Sequence, residues 1–236
     1  MTLPFFYIRK INLTEPEIIL DEDTSRHVIQ VLRMKTGEKL NVTDGKGNLL
    51  TCSIADENKK KCRVSRIETR IQPPRSRQTT IAISLVKNNN RFEWFLEKAG
   101  EIGIQEIVPM ICKRTEKQRF RRERMEGILI SAMLQSRQCW LPILQEPVAF
   151  PDIVVRAVQQ QKFIAHCVDE IKENLGTLVN SLLASQIILI GPEGDFTKEE
   201  IELAIQNHFT PVTLGETRLR TETAGMVAAV LLTNAR

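Results

Sequence analysis

The segment from Ile187 to Leu203, IILIGPEGDFTKEEIEL, constrains the fold more than any other part of the chain. Ile187, Ile188, Leu189 and Ile190 fit a buried strand, and Gly191-Pro192-Glu193-Gly194 then turns the chain sharply. Thr197 suits a helix N-cap, Glu200 three residues on completes a capping box, and Phe196 and Ile201 occupy the two positions of a hydrophobic staple. A glycine-rich turn between a strand end and a helix N-terminus presents backbone N–H groups at the carboxyl edge of a sheet, where α/β proteins bind ligands. The same turn also occurs without a ligand, so by itself it marks only where to look.

The rest of the chain divides at Ile71 to Gln78, IQPPRSRQ, which has paired prolines and no periodic apolar residues. Before it, FFYI, EIIL, KLNVTDGKGNLLTCSI and KCRVSRIETRI read as short strands, with Asp44-Gly45 and Lys46-Gly47 as a hairpin signal. One helix is expected over Asp23 to Met34, with Val28, Val31 and Leu32 on its inner face. The pattern is that of a small β-barrel. After the boundary, strands are expected at Thr80 to Val86, Ile107 to Cys112, Phe163 to Cys167, Ile187 to Ile190 and Pro211 to Leu214. They alternate with helices at Arg91 to Ile102, Arg122 to Arg137, Asp152 to Gln160, Leu175 to Leu183, Lys198 to Asn207 and Glu222 to Ala235. Such alternation means a largely parallel sheet covered on both faces. The expected domains are therefore residues 1–72 and 73–236.

Several function classes are disfavoured. No apolar run approaches the length of a membrane span, and MTLPFFYIRK lacks the pattern of a signal peptide, so a cytoplasmic protein is expected. Cys52, Cys62, Cys112, Cys139 and Cys167 are odd in number and show no metal-ligand spacing, and His27, His166 and His208 are far apart; reduced packing cysteines and no metal are expected. There is no GxGxxG, no GxxxxGK[ST] and no GxSxG. The net charge is only +4, so bulk charge points weakly to a polyanion, but its distribution says more. Basic residues are interleaved through the N-terminal strands, and Lys113 to Glu126 holds seven basic and three acidic residues. That second run is either a helix laced with ion pairs or a phosphate-contacting surface, and two basic regions in one chain favour nucleic acid.

Near the C-terminus, TLGETRLRTETA (Thr213 to Ala224) ends a strand, crowds Glu216, Arg218, Arg220 and Glu222 into one loop, and offers Thr221 or Thr223 as a cap for the last helix. A loop one βα step after GPEG should lie beside it at the same sheet edge, and two such loops make a pocket. The last helix is apolar nearly all round, as in a buried helix or a subunit interface.

Five stretches in this order carry a resemblance over essentially the whole chain: RHVIQVLRMKTGEKLNVTDGKG, the Lys87 to Pro109 segment with KAGEIGIQEIVP, QSRQCWLP, IGPEGDF and LGETRLRTETA. Together they resemble the RsmE family, 16S ribosomal RNA uracil-N3 methyltransferases of the SPOUT superfamily. Two positions depart from the family pattern: Asp195 stands where a glycine is usual, beside the expected cofactor loop, and Leu134-Gln135-Ser136 replaces an acidic-Gln-Ser run. The resemblance implies an N-terminal PUA-like β-barrel followed by a SPOUT α/β domain with a C-terminal trefoil knot. It further implies a cytoplasmic homodimer that takes S-adenosylmethionine as cofactor and 16S rRNA of the small ribosomal subunit as partner, with uridine 1498 as target. Carried over by position, the cofactor loops are Ala165-His166-Cys167-Val168, Ile190-Gly191-Pro192-Glu193-Gly194, and Leu214 to Ala224 with Gly215, Leu219, Arg220, Thr221, Thr223 and Ala224.

Methylating uracil N3 requires loss of its proton, and the resulting anion calls for a cation and a base nearby. Arg220 is the first choice for the cation, Arg218 the second, and Glu222 is preferred over Glu193 as base. Arg9, Arg26, Arg33 and Lys46 from the first domain, with Lys87, Arg91, Arg114 and Arg137 from the second, are the candidate RNA contacts; each is also a candidate structural ion-pair partner. Ribose 2′-O methylation and a non-catalytic RNA-binding role are the rival readings.

Overall fold

The computed structural model describes residues 3–116, 119–168 and 171–234. Two compact units emerge, one of Met1–Pro74 with Met133–Leu141 and one of Arg75–Ala132 with Pro142–Arg236.

The first unit holds β1 (Phe5–Tyr7), β2 (Glu17–Ile19), α1 (Glu22–Arg26), β3 (Lys39–Thr43), β4 (Asn48–Asp56) and β5 (Arg63–Ile71). They form a five-stranded sheet in the order β1-β3-β4-β5-β2, antiparallel except where β1 meets β3. Period-two alternation sends Leu50, Cys52 and Ile54 of β4 inward to meet Leu40, Val42 and Val64. The expected helix over Asp23 to Met34 is shorter and distorted. Asp21 caps α1 by accepting the Thr24 N–H at 2.8 Å, but after Arg26 the chain widens into a π-helical turn, His27–Val31. Met34 N–H then bonds the Val28 carbonyl at 3.1 Å. The wider turn keeps Val28 and Met34 in the core and leaves Val31 and Leu32 67% and 42% exposed, contrary to the expected single apolar face. Residues 133–141 join this unit through backbone bonds: Gly47 N–H to the Cys139 carbonyl (2.8 Å) and Leu141 N–H to that of Gly45 (2.9 Å). Trp140 Nε1 donates to the Gln72 carbonyl at 2.9 Å.

The second unit contains β6 (Gln78–Ser84), α2 (Asn89–Ile102), β7 (Glu106–Ile111), α3 (Arg122–Gln135, whose last three residues group with the first unit), β8 (Ile143–Leu144), β9 (Val148–Ala149), α4 (Phe150–Arg156) and β10 (Gln161–Ala165). There follow β11 (Glu173–Asn174), α5 (Leu175–Leu178), β12 (Ser185–Ile190), α6 (Lys198–Gln206), β13 (Thr210–Thr213) and α7 (Thr221–Asn234). The sheet runs β11-β13-β10-β12-β6-β7-β8, with β9 also on β7, and every pairing is parallel. Ala82, Ile187 and Leu189 point to one face, packing with Phe150 and Val154 of α4 and Ile201 and Ala204 of α6. The opposite face carries α2 and α7, and it requires a glycine. A Cβ on Gly225 would lie 2.7 Å from Ile83 Cδ1 and 2.8 Å from Phe95 Cε2, so α7 approaches β6 and α2 only because that atom is missing.

Two helices end earlier than their patterns suggest. α4 starts on Phe150-Pro151 and stops at Arg156, where Ala157 turns extended, and α5 is a single turn. Asn180 ends the latter: its N–H bonds Gln161 Oε1 (2.8 Å) and its carbonyl accepts Gln161 Nε2 (3.0 Å), so side chain to backbone bonds compete with further helix. Ala235 of the expected last helix, and Lys117 and Gln118 of the basic run, lie outside the described residues. No helix among the described residues is long and apolar enough to cross a membrane.

Candidate active site

β13, β10 and β12 are adjacent and parallel, so their carboxyl ends bring three loops together. Between the loops after β10 and β13 lies a cleft of about 670 Å³, and beside it a hollow of about 350 Å³ between the loops after β12 and β13. Ala165, Cys167, Arg218, Leu219 and Ala224 line both. Of the sequence-predicted cofactor residues, His166, Leu214 and Gly215 wall the larger space, and Ile190, Gly191, Pro192, Glu193, Arg220 and Thr221 wall the smaller. Gly194 and Thr223 wall neither.

The loops are braced by bonds that cross between them. At the GPEG turn, Gly191 packs flat under Phe196, whose ring a Cβ would meet at 3.1 Å, and the Thr221 hydroxyl donates to the Gly191 carbonyl at 3.0 Å. Thr221 and Thr223 are thus residues of α7 itself rather than its caps. The expected capping box is present in full: Thr197 Oγ1 accepts the Glu200 N–H and Glu200 Oε2 accepts the Thr197 N–H. Glu200 also reaches out, its Oε1 taking the Lys113 N–H at 2.8 Å. Glu193 does turn a carboxylate to structural use, accepting the Lys87 N–H at 3.0 Å.

Asp195 explains its own departure from glycine. Its φ is +64°, the left-handed region that glycine favours and that aspartate enters more easily than most residues. Its Oδ1 accepts the Phe196 N–H (2.9 Å) and its Oδ2 the Cys167 N–H (2.8 Å), joining the loop after β12 to the loop after β10. On the other flank, Lys172 Nζ donates to the carbonyls of His166 (2.8 Å) and Val168 (2.5 Å). Lys172, with no local motif around it, was not singled out in the sequence; Asp195 was, through its mismatch alone.

Cys167 also corrects the view of all five cysteines as packing residues. Four are buried, and burial pushes the thiols of Cys52 and Cys62 up to about 11 and that of Cys112 up to about 12. Cys167 alone is exposed, on the wall of the cleft.

The charged candidates separate into distinct settings. Arg218 and Arg220 are exposed at the cleft, and neither guanidinium has a hydrogen bond or ion pair among the described residues. Glu222 does not face this cleft. It is buried on another side of the first turn of α7, with Oε1 3.6 Å from Arg91 Nε. Arg114 spans the GPEG loop, its guanidinium donating to the Gly194 and Phe196 carbonyls (2.7 and 3.3 Å), and Lys87 pairs with Glu116 at 2.9 Å. In the first unit Arg26 pairs with Glu22, Arg33 sits exposed at φ +56°, and Lys46 is exposed at the tip of the β3–β4 hairpin. Arg9 and Arg137 are exposed, Arg137 belonging with the first unit at φ +56°. Among the described residues no cluster of three His, Cys, Asp or Glu could hold a metal.

Residues 73–233 match the RNA methyltransferase domain family, and residues 20–65 match the RNA methyltransferase PUA domain. The chain belongs to the RNA methyltransferase family. It is of the RsmE type, an enzyme with a PUA-like domain ahead of its methyltransferase domain. Its fold matches the crystal structure of a probable rRNA-methyltransferase from Porphyromonas gingivalis with a TM-score of 0.89 and 35% identity, over 96% of this chain and 95% of that one. A ribosomal RNA small subunit methyltransferase E from Neisseria gonorrhoeae, bound to S-adenosyl methionine, matches with a TM-score of 0.86 and 25% identity over 97% and 96% of the two chains. A ribosomal RNA small subunit methyltransferase E from Synechocystis is 29% identical over 221 residues, 92% of this chain and 72% of the relative.

Proposed function

We propose that this enzyme transfers a methyl group from S-adenosylmethionine to N3 of a uridine in 16S rRNA, at the position equivalent to uridine 1498, working as a cytoplasmic homodimer. The observation that carries the reading is the meeting of three braced loops in one cleft, with two guanidiniums at its edge that have no partner among the described residues. The cleft suits the cofactor. Its volume falls within the usual range for small-ligand sites, Ala165, Ile190, Leu219 and Ala224 offer apolar walls, and His166, Cys167 and Thr221 add polar groups. Bound there, S-adenosylmethionine supplies an electrophilic methyl on a sulfonium.

The chain's own residues have two tasks, to align the base and to make N3 nucleophilic. The N3 proton leaves through water, because Glu222, the first choice of base on sequence, faces away from the cleft; the electron pair left on N3 makes it the nucleophile. Arg220, with Arg218 beside it, stabilises the negative charge that spreads onto the uracil oxygens while the proton is departing. Exposed cations of the first unit, Arg9, Arg33 and Lys46 among them, and of the second, Arg114 with the half-buried Arg91, would track the RNA backbone, the first unit acting as the RNA-gripping barrel. The trefoil knot belongs to the same reading, through resemblance. Half-buried Met226 and Val227 and exposed Val230 leave an apolar side on α7 for a second copy.

Calorimetry with S-adenosylmethionine tests the reading against a non-catalytic RNA binder, which has no use for the cofactor. Arg220→Ala should then lower the single-turnover rate by about 10²-fold or more with cofactor affinity little changed. Lost cofactor binding with a surviving single-turnover rate would refute the role given to Arg220.

A further inference from the structure

The segment 133–141 that returns to the first unit carries Trp140 near its end, and that side chain is both fixed and open. Its Nε1 donates to the Gln72 carbonyl at 2.9 Å, and residue 140 pairs with Lys46 through an antiparallel bridge. The ring lies against the backbone of Gly47, where a Cβ would come within 2.5 Å of Cζ2 and 2.8 Å of Cε2, so only glycine permits the approach. Yet Trp140 is 38% exposed. An indole anchored at its N–H and along one side offers the rest of its aromatic surface to solvent with little freedom left to lose on binding.

Two cations accompany it. Lys46 is its bridge partner and Arg137 lies three residues before it; both are exposed, and neither side chain has a hydrogen bond or ion pair among the described residues. The backbone at Arg137 is unusual. Gln138 N–H bonds the Met133 carbonyl at 3.0 Å and Arg137 N–H that of Leu134 at 3.2 Å, the closing pattern of a helix whose left-handed residue is most often glycine. Arginine holds that place at φ +56°, with nothing in the described chain that its guanidinium serves. Backbone strain of this kind concentrates at functional positions.

We infer that this corner of the first unit is a stacking platform for one unpaired base of the substrate RNA, with Trp140 taking the base and Lys46 and Arg137 the phosphates beside it. The nucleotide bound here is not the one that is methylated. The inference rests on the methyltransferase reading for the identity of the RNA, and it adds a contact outside residues 20–65, which match the PUA domain. An exposed aromatic ring among unpartnered cations is the combination that grips single strands, because every base has a face to stack and every nucleotide a phosphate to neutralise. In a duplex the base faces are already covered by their neighbours, so the ring would be left without a partner.

The test uses the full-length Trp94→Phe protein, in which Trp140 is the sole indole and its fluorescence reports the platform directly. Single-stranded oligouridylate should quench it, and duplex RNA should not. Binding of labelled oligouridylate, followed over a series of salt concentrations, then separates stacking from charge. Trp140→Ala should weaken it about 5- to 150-fold, the range set by base–aromatic stacking, with the salt dependence unchanged. Lys46→Ala and Arg137→Gly should each weaken binding and lower the salt slope by about 0.7, as loss of one phosphate contact to a single strand requires. Glycine suits the left-handed backbone, so Arg137→Gly should keep or raise Tm while it loses RNA, which misfolding would not do. Trp140→Phe keeps a ring and should retain most of the affinity even if the alanine variant fails to fold. In methyl transfer to small subunits, Trp140→Phe should match wild type, and Trp140→Ala should raise KM with kcat and S-adenosylmethionine affinity unchanged. An unquenched indole, or wild-type affinity in Trp140→Ala, would overturn the assignment even if the enzyme forms 3-methyluridine. So would a change of oligomeric state in Trp140→Ala, read by light scattering, because the ring would then be a protein contact. Specific quenching in a protein that transfers no methyl would leave the platform standing and remove the catalytic reading instead.

Discussion

Replacing Asp195 by glycine should weaken cofactor binding without disturbing the fold. The substitution relieves the left-handed strain at φ +64° and removes two bonds, to Phe196 N–H at 2.9 Å and to Cys167 N–H at 2.8 Å. Bonds to an ionised acceptor contribute about 1.5–3 kcal/mol each, and the value here belongs at or below the low end because Asp195 is only half-buried. The bond within its own turn is partly replaced by water. The bond to Cys167 is different, since it crosses from Asp195's loop to the loop after β10. A net loss of about 1–2 kcal/mol of loop organisation is therefore expected, which corresponds to roughly 5- to 30-fold weaker cofactor binding. Isothermal titration with S-adenosylmethionine reads this directly, and a fall in Tm of about 2–8 °C should accompany it. Asp195→Asn, which keeps an acceptor oxygen but not the charge, should fall between wild type and glycine. Unchanged affinity and Tm in Asp195→Gly would refute the view that the carboxylate staples the two loops.

Further outcomes follow from other parts of the structure. Gly225→Ala should destabilise the protein: overpacking against Ile83 and Phe95 costs about 1–3 kcal/mol, against a helix-propensity gain of about 1, whereas Gly127→Ala on the open face of α3 should stabilise by up to about 1 kcal/mol in the same melting assay. A thiol reagent applied to the native protein at pH 8 should modify Cys167 and spare the other four cysteines, and S-adenosylmethionine should protect it; mass spectrometry of the labelled peptide checks both points. The Arg124 guanidinium, bonding Glu93 at 2.6 and 2.7 Å, holds the Glu93 carboxyl below its usual value. The stability this pair contributes is complete above the ordinary glutamate value of about 4.3 and is lost as pH falls through the depressed one. Glu93→Gln should therefore lower Tm at pH 7 and converge on wild type at strongly acid pH.

The parts of this fold that local sequence specifies were legible. The capping box at Thr197 and Glu200, the hairpin at Asp44 to Gly47 and the alternating strands of the second unit all arise from interactions within a few residues, and each is found where its pattern lies. The loops after β12 and β13 were expected side by side because one follows the other by a single βα step; they do meet, but with β10 between their strands. What was not legible depends on contacts between distant residues. The return of residues 133–141 to the first unit rests on bonds to Gly45, Gly47 and Gln72 that no periodicity announces. The early end of α5 reflects Gln161, a side chain on another strand. Glu222 shares a loop with Arg220 in sequence, but the helix that begins at Thr221 turns the two side chains to different surfaces. Lys172 braces His166 and Val168 without any signature of its own.

The most direct test of the central claim is transfer of labelled methyl from S-adenosylmethionine to small ribosomal subunits that lack the modification, followed by nucleoside analysis. The account predicts label in 3-methyluridine. Label on a ribose oxygen, or no transfer and no cofactor binding, would contradict it.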